Sequence, residues 1–375
     1  MPVLPDFKLE TFFSEWEFNA KYHMCASDME SMTLDDLMSL GTDQDRENWH
    51  NLNFKYIETY GSPELRTAVA NTYLTQKSAN ILAFAGAEEG LFVAMHCILS
   101  KDDHAIIITP NYQSAETVPA SLCEVTGVGL DDNENWNLNL QRIKDAIQPN
   151  TKLISINFPH NPTGKVISKE TLEELIVIAR QQNIYLFSDE VYRLMERDAS
   201  KRLPQIADVY ENGISLNVMS KAYGLPGLRI GWIASQDLQL LDKMEKMKHY
   251  LSICNSSPSE FLAVVALKSS KKILSRNRKI IENNLKLLNL FFAKNTHLFE
   301  WQLPDGGCIG YPKYLGEEGV ILFCERLIKH HGIMLLPGNI YQSNIGPSPK
   351  NHFRIGYGRI GMKDGLTKLQ EILLR

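Results

Sequence analysis

No run in this 375-residue chain approaches the ~20 consecutive apolar residues that a membrane-spanning helix needs. The longest apolar stretches, such as residues 91–99, stop well short, so a membrane partner is not expected. The first residues, Met1-Pro2-Val3-Leu4-Pro5-Asp6, carry no basic segment followed by an apolar run, and no secretory signal is expected either. The six cysteines (25, 97, 123, 254, 308 and 324) include no Cys-x-x-Cys pair, and the ten histidines include no His-x-x-x-His pair. That pattern argues against a disulfide framework or a structural metal and for free thiols in a reducing, cytoplasmic setting. Charge is also unremarkable in its distribution: 39 Lys and Arg against 44 Asp and Glu give a net −5, with no long block of one sign. The short basic group Lys268, Lys271, Lys272, Arg276, Arg278 and Lys279 reads as a solvated helix face, so nucleic acid is not an expected partner. Internal repeats and low-complexity tracts are lacking, and no Gly-x-Gly-x-x-Gly follows the first strand signal, which disfavours a nicotinamide dehydrogenase.

What is present is an ordinary globular composition, 44% hydrophobic and 22% charged. At ~150 residues per domain the length suggests two or three domains. Short apolar, β-branched runs at residues 105–109, 153–157, 184–188, 214–218 and 230–234 suit strands buried on both faces of a mostly parallel sheet. Helical periodicity lies between them; from Ser168, a predicted N-cap, Leu172, Leu175, Ile176 and Ala179 recur at i, i+3, i+4 and i+7. The spacing predicts an α/β domain over residues 49–250. Residues 1–48, aromatic- and Met-rich without a strand signal, read as an arm with a short helix. A long amphipathic helix is predicted from about 276 to 295, with Ile280, Ile281, Leu285, Leu288 and Phe292 on one side. Short strands and helices follow to a terminal helix near 367–374, so residues 251–375 together with the arm read as a smaller α+β domain.

Ligands of open α/β sheets bind at the carboxyl ends of the strands. The residues found there are Asn161-Pro162-Thr163-Gly164, then Asp189-Glu190-Val191-Tyr192, then Ser220-Lys221, with Arg229 eight residues beyond the lysine. In this order and on this strand pattern, the sequence resembles the aspartate aminotransferase superfamily. These are the class I/II, fold-type I enzymes that use pyridoxal 5′-phosphate (PLP), and the likeness runs from about residue 60 to 354.

The resemblance implies a large PLP-binding domain, with a mostly parallel mixed sheet flanked by helices, and a smaller α+β domain formed by both termini. It implies that Lys221 holds the cofactor as a Schiff base and shuttles the substrate α-proton once displaced. Asp189 would keep the pyridine nitrogen protonated, because an adjacent carboxylate favours the charged ring. Asn161 and Tyr192 would bond the cofactor's 3′-oxygen. Gly86, Ala87 and Glu88, leading into a helix, would cradle the phosphate with backbone N–H groups, and Ser220 and Arg229 would add a hydroxyl and a guanidinium. Glu88 departs from the family, which often carries Thr, Ser, Asn or Gln there; a carboxylate repels phosphate, so only its backbone is expected to help. Tyr112 would stack on the pyridine ring. Arg354 would bind the substrate α-carboxylate, to which a planar guanidinium is matched. Tyr60 would reach the phosphate of the partner subunit in a homodimer. The Asn161–Pro162 bond is expected to be cis.

The implied reaction is transfer of an amino group between an L-amino acid and a 2-oxo acid. The same residues would serve a β- or γ-lyase or a cyclase. The arm, from Phe7-Lys8-Leu9-Glu10 to Glu30-Ser31, is similar to that of capreomycidine synthase, which cyclises a hydroxyarginine; Glu15 or Glu17 could then face a guanidinium, against the plainer reading of solvated helix charges. A PLP-sensing transcription regulator would need a DNA-binding module that residues 1–48 do not supply. The substrate side chain would be read by the arm and the loop Asp305-Gly306-Gly307-Cys308, with Trp16, Tyr22 and Ser256 as candidates.

Overall fold

A computed structural model of the chain describes residues 4–374. Its centre is a seven-stranded sheet whose strands are β1 (Ile81–Phe84), β2 (His104–Thr109), β3 (Glu124–Gly129), β4 (Thr151–Asn157), β5 (Tyr185–Asp189), β6 (Gly213–Val218) and β7 (Gly231–Ser235). They lie in the order β1-β7-β6-β5-β4-β2-β3. Strands β2 to β6 pair in parallel, and β7 runs antiparallel to both β6 and β1. The sheet is therefore mixed but mostly parallel, as the sequence predicts.

Both faces are covered, which explains the near-continuous apolar runs. Side chains alternate across the sheet, so Ala105 and Ile107 pack with Leu91, Ala94 and Met95 of the helix Ala87–Ile98. Ile106 and Ile108 turn to the opposite face, beside Leu172, Leu175 and Ala179 of the helix Lys169–Gln181. Ser168 caps that helix, its hydroxyl accepting from the Thr171 amide at 3.1 Å.

The termini depart from expectation in detail. Residues 4–48 hold a helix (Lys8–Trp16), two short helices (Leu34–Ser39 and most of Asp43–His50) and a two-residue strand, Tyr22–His23, where no strand signal is visible. That strand exists because Ile333–Met334 offers it a parallel partner. The strand Phe353–Gly356 lies between Ile309–Gly310 and Leu336–Pro337. The long helix runs Ser270–Lys294, beginning earlier than predicted, and the last helix is Met362–Leu373. Of the basic group on the long helix, Arg276 is not simply solvated: it donates to the carbonyls of Glu30 and Ser31 at 2.7 and 2.9 Å and pins the arm. No helix among the described residues is long and apolar enough to cross a membrane, and no cluster of three or more His, Cys, Asp or Glu among them could hold a metal ion.

Candidate active site

The carboxyl ends of β4, β5 and β6 lie side by side, with Asn157 opposite Asp189 and Asp189 opposite Leu216 in the register. Above them opens a cavity of about 350 Å³, the size of a small-molecule site. Ala87, Glu88, Tyr112, Asn161, Asp189, Tyr192, Ser220, Lys221 and Arg229 all line it, so nine residues read from five separate segments of sequence meet in one place.

Lys221 is half-buried, and desolvation pushes its amine below the usual lysine range; Asp28 opposes this, Arg354 adds to it, and Asp189 opposes it more weakly. Its Nζ donates to Ser27 Oγ at 3.0 Å. Asp189 is half-buried at the strand end, and desolvation raises its carboxyl to about 6. Its Oδ1 accepts from the Val191 amide at 3.1 Å, while Asn157 Nδ2 donates to its carbonyl at 2.8 Å and fixes the strand end. Asn161 is held by its amide, which donates to Asn157 Oδ1 at 2.8 Å, and by Tyr341, whose hydroxyl donates to Asn161 Oδ1 at 2.9 Å. Its Nδ2 is thereby left as the donor. The Asn161–Pro162 bond is cis, as predicted; Phe158–Pro159 and Thr109–Pro110 are cis as well. Tyr192 donates to the Ser27 carbonyl at 3.0 Å, and burial raises its hydroxyl well above the ordinary range.

At the other end of the cavity is an anion cradle. No side chain caps the start of the helix Ala87–Ile98, so its first N–H groups remain open to a ligand. Gly86 there has φ +100°, and a Cβ on it would come within 2.6 Å of Arg229 Nη2; only glycine lets the guanidinium lie against this turn. Gly231 allows the same approach from below, since a Cβ on it would meet the Gly86 carbonyl carbon at 2.6 Å. Ser220 completes the set. A donor-rich end and a buried carboxylate-and-amine end suit a ligand with a phosphate at one side and a basic ring at the other, and the residues present fit PLP. Glu88 is the departure. Its Oε2 accepts from Ser114 Oγ at 2.9 Å, and burial first, then Glu10 and Asp189, raise it to about 7.

A family profile described as aminotransferase class I and II matches residues 21–365. The chain belongs to the class I and II aminotransferases. A solved PLP-dependent aminotransferase from Streptococcus suis superposes with a TM-score of 0.92 at 31% identity, covering 99% of this chain and 98% of the other. Capreomycidine synthase of Streptomyces vinaceus is 25% identical over 99% of this chain and 94% of its own length. A probable aspartate aminotransferase of Methanocaldococcus jannaschii is 29% identical over 80% of each chain. The protein is thus a PLP-dependent transferase of fold type I.

Besides Gly86, which forms the turn behind Ala87, two expected residues of this aminotransferase do not reach the cavity wall. Tyr60 lies elsewhere, beside Glu58, Thr59, Arg66 and Glu245. Arg354 is only 1% exposed, and its Nε and Nη2 donate to the Cys25 carbonyl at 3.1 and 2.8 Å while Nη1 donates to Tyr341 Oη at 2.6 Å. Besides Arg229, the arginine at the wall is Arg359, held by Asp28 through two bonds of 2.9 and 2.8 Å.

Sequence reasoning missed Ser27, Asp28, His23, Phe13 and Arg359, all at or beside the cavity. None stands after a strand of the central sheet, which was the signal used. Asn157 was within reach of that signal, as a polar residue ending an apolar strand. Of the two arm carboxylates weighed, Glu17 lines the cavity and Glu15 does not. Among the side-chain candidates, Trp16, Tyr22 and Ser256 are absent from the lining residues.

Proposed function

We propose that this enzyme transfers an amino group between an L-amino acid and a 2-oxo acid, in two half-reactions at Lys221. The observation that carries the reading is the meeting of the Lys221 amine and the Asp189 carboxylate, both shifted by desolvation, in one cavity with an anion cradle at its far end. When bound, the cofactor supplies an electron sink for a bond at the substrate's α-carbon. Asp189 holds a proton on the ring nitrogen, Asn161 Nδ2 and Tyr192 Oη bind the ring oxygen, and Tyr112 covers the ring face. The N–H groups at Gly86, Ala87 and Glu88, with Ser220 and Arg229, hold the phosphate. Lys221 Nζ takes the α-proton, and lowering the pKa of its amine increases the share present as the free base that can do so. Arg354, which stands behind the wall with Tyr341 between it and Asn161, is the carboxylate ligand of this reading if its bonds to the Cys25 carbonyl give way to the substrate, and Tyr60 serves the partner's site in a homodimer. We divide the chain for this purpose into the arm (1–48), a large cofactor-binding domain (49–250) and the long helix with the C-terminal domain (251–375). Six free thiols fit a cytoplasmic setting.

A second reading, cyclisation or elimination on the same residues, is supported by one observation. The likeness to capreomycidine synthase spans 99% of the chain, arm included, and Glu17 of that arm faces the cavity with its carboxyl raised by burial. One experiment separates the two: absorbance of PLP-loaded protein titrated with a panel of amino acids. Transamination bleaches the visible band with release of a 2-oxo acid. A band that persists while ammonia or a cyclised product accumulates assigns the second reading. Lys221→Ala is expected to abolish the lysine-linked band in either case, and a band that survives it removes Lys221 from both.

A further inference from the structure

We propose that Ser27 of the N-terminal arm is a positioning residue for Lys221, its hydroxyl receiving the lysine amine and setting where that amine points whenever it is free of the cofactor. The proposal rests on the reading of Lys221 given above. Lys221 Nζ donates to Ser27 Oγ at 3.0 Å, and the carbonyl of the same serine accepts from Tyr192 Oη at 3.0 Å. Two polar groups from the edge of the large sheet thus end on one residue of the arm.

Ser27 is held firmly enough to aim them. The Tyr22 amide donates to the Gly332 carbonyl, the Met24 amide to Met334, the Gly356 amide to Met24 and the Glu30 amide to Gly358, at 2.8 to 3.0 Å. A Cβ on Gly356 would stand 1.9 Å from the Ala26 carbonyl oxygen, and one on Gly358 2.2 Å from that of Asp28. The backbone on both sides of Ser27 is therefore pressed onto glycines. Lysine alone, with four rotatable methylenes, has no such fixity. Since Ser27 comes with the arm and Lys221 with the sheet, the amine is aimed only when the arm is seated. The charged and titratable groups facing Nζ are Asp28, Arg354, Cys308 and Asp189; the serine adds an uncharged acceptor, which favours the ammonium form.

The test uses Ser27→Ala, Ser27→Cys (the same shape with a poor acceptor) and Ser27→Thr, which restores a hydroxyl. In cofactor-free protein, modification of Lys221 by cyanate is followed by peptide mass spectrometry across pH. Loss of one bond to a charged donor is expected to raise the rate below the midpoint about fivefold in the Ala and Cys variants, with Thr near wild type. In loaded protein the visible band is expected to remain, while exchange of the substrate α-proton into D₂O slows about tenfold. Wild-type cyanate profiles and exchange rates in both the Ala and Cys variants would overturn the role of Ser27. A wild-type protein that forms no visible band with PLP would instead sink the reading of Lys221, and the cyanate profile would still report on the serine contact.

Discussion

Glu88 shows how one side chain can oppose its neighbourhood and remain. It stands at the start of a helix, where an acidic residue suits the dipole, and the residue as a whole is exposed, yet the protein around its carboxyl, with Glu10 and Asp189 nearby, raises it from 4.5 to about 7. The folded chain keeps the proton up to about 7, whereas the unfolded chain releases it near 4.5. The proton-linked stability is therefore present in full below 4.5 and is lost as pH rises through 7, by an amount that solvent around this exposed residue keeps modest. Glu88→Gln keeps an acceptor for Ser114 and removes the ionisation. Melting temperatures of the cofactor-free protein from pH 5 to 8 are expected to fall less steeply in the variant, which gains most at pH 8. The slope does not vanish, because Asp189 at about 6 and Glu190 at about 7 titrate in the same window with the same sign. A variant that melts in parallel with wild type across this range would mean that Glu88 is already ionised.

Elements matter here through where they end. The strands β2, β4, β5, β6 and β7 are legible as short β-branched runs because each is buried on both faces. Their polar successors are legible for the same reason: a buried sheet has no other place for Asn161, Asp189 and Lys221. Strand β3 is not legible, since its sequence, Glu-Val-Thr-Gly-Val-Gly, lies at the sheet's edge with only its last two residues buried. Its glycines answer to the Ile345 carbonyl and Pro347, which a Cβ would meet at 2.7 and 2.5 Å. Ser27 and Arg359 were illegible for a deeper reason. They reach one cavity because their segments pair through the Met24–Gly356 backbone bond across more than three hundred residues, and no local pattern announces that pairing. Within the sheet, Gly231 fixes how closely β7 approaches the anion cradle. Gly231→Ala drives a methyl into the Gly86 backbone, and overpacking of this kind costs about 1–3 kcal/mol. The expected result is a folded protein, by circular dichroism, whose affinity for PLP falls at least tenfold in a titration of the visible band. Unchanged affinity would show that the cradle moves freely away from β7.

The assembled chain leaves one surface uncovered that its core chemistry would not leave to water. Phe54, Tyr56 and Tyr250 are each more than 85% exposed, and Leu251 and Ile253 join them. The two segments are neighbours, since Ser257 Oγ donates to the Asn53 carbonyl at 3.5 Å. Contiguous exposed aromatic groups mark contact surfaces, and Tyr60 follows a few residues after Tyr56, away from the cavity of its own chain. In the proposed homodimer this face would seat the second copy, and Tyr60 is expected to serve the other chain's anion cradle. Mixing inactive chains distinguishes this from a role within one chain. Tyr60→Ala and Lys221→Ala are each expected to be impaired as homodimers. In a mixed dimer, the site built on the Tyr60→Ala chain retains its own Lys221 and receives an intact Tyr60 from the Lys221→Ala chain, so one native site forms. Activity per mixed dimer is therefore expected to return to about half that of wild type, with the mixed species purified by two different affinity tags. Activity no higher than the average of the two parent variants would place the function of Tyr60, whatever it is, within its own subunit.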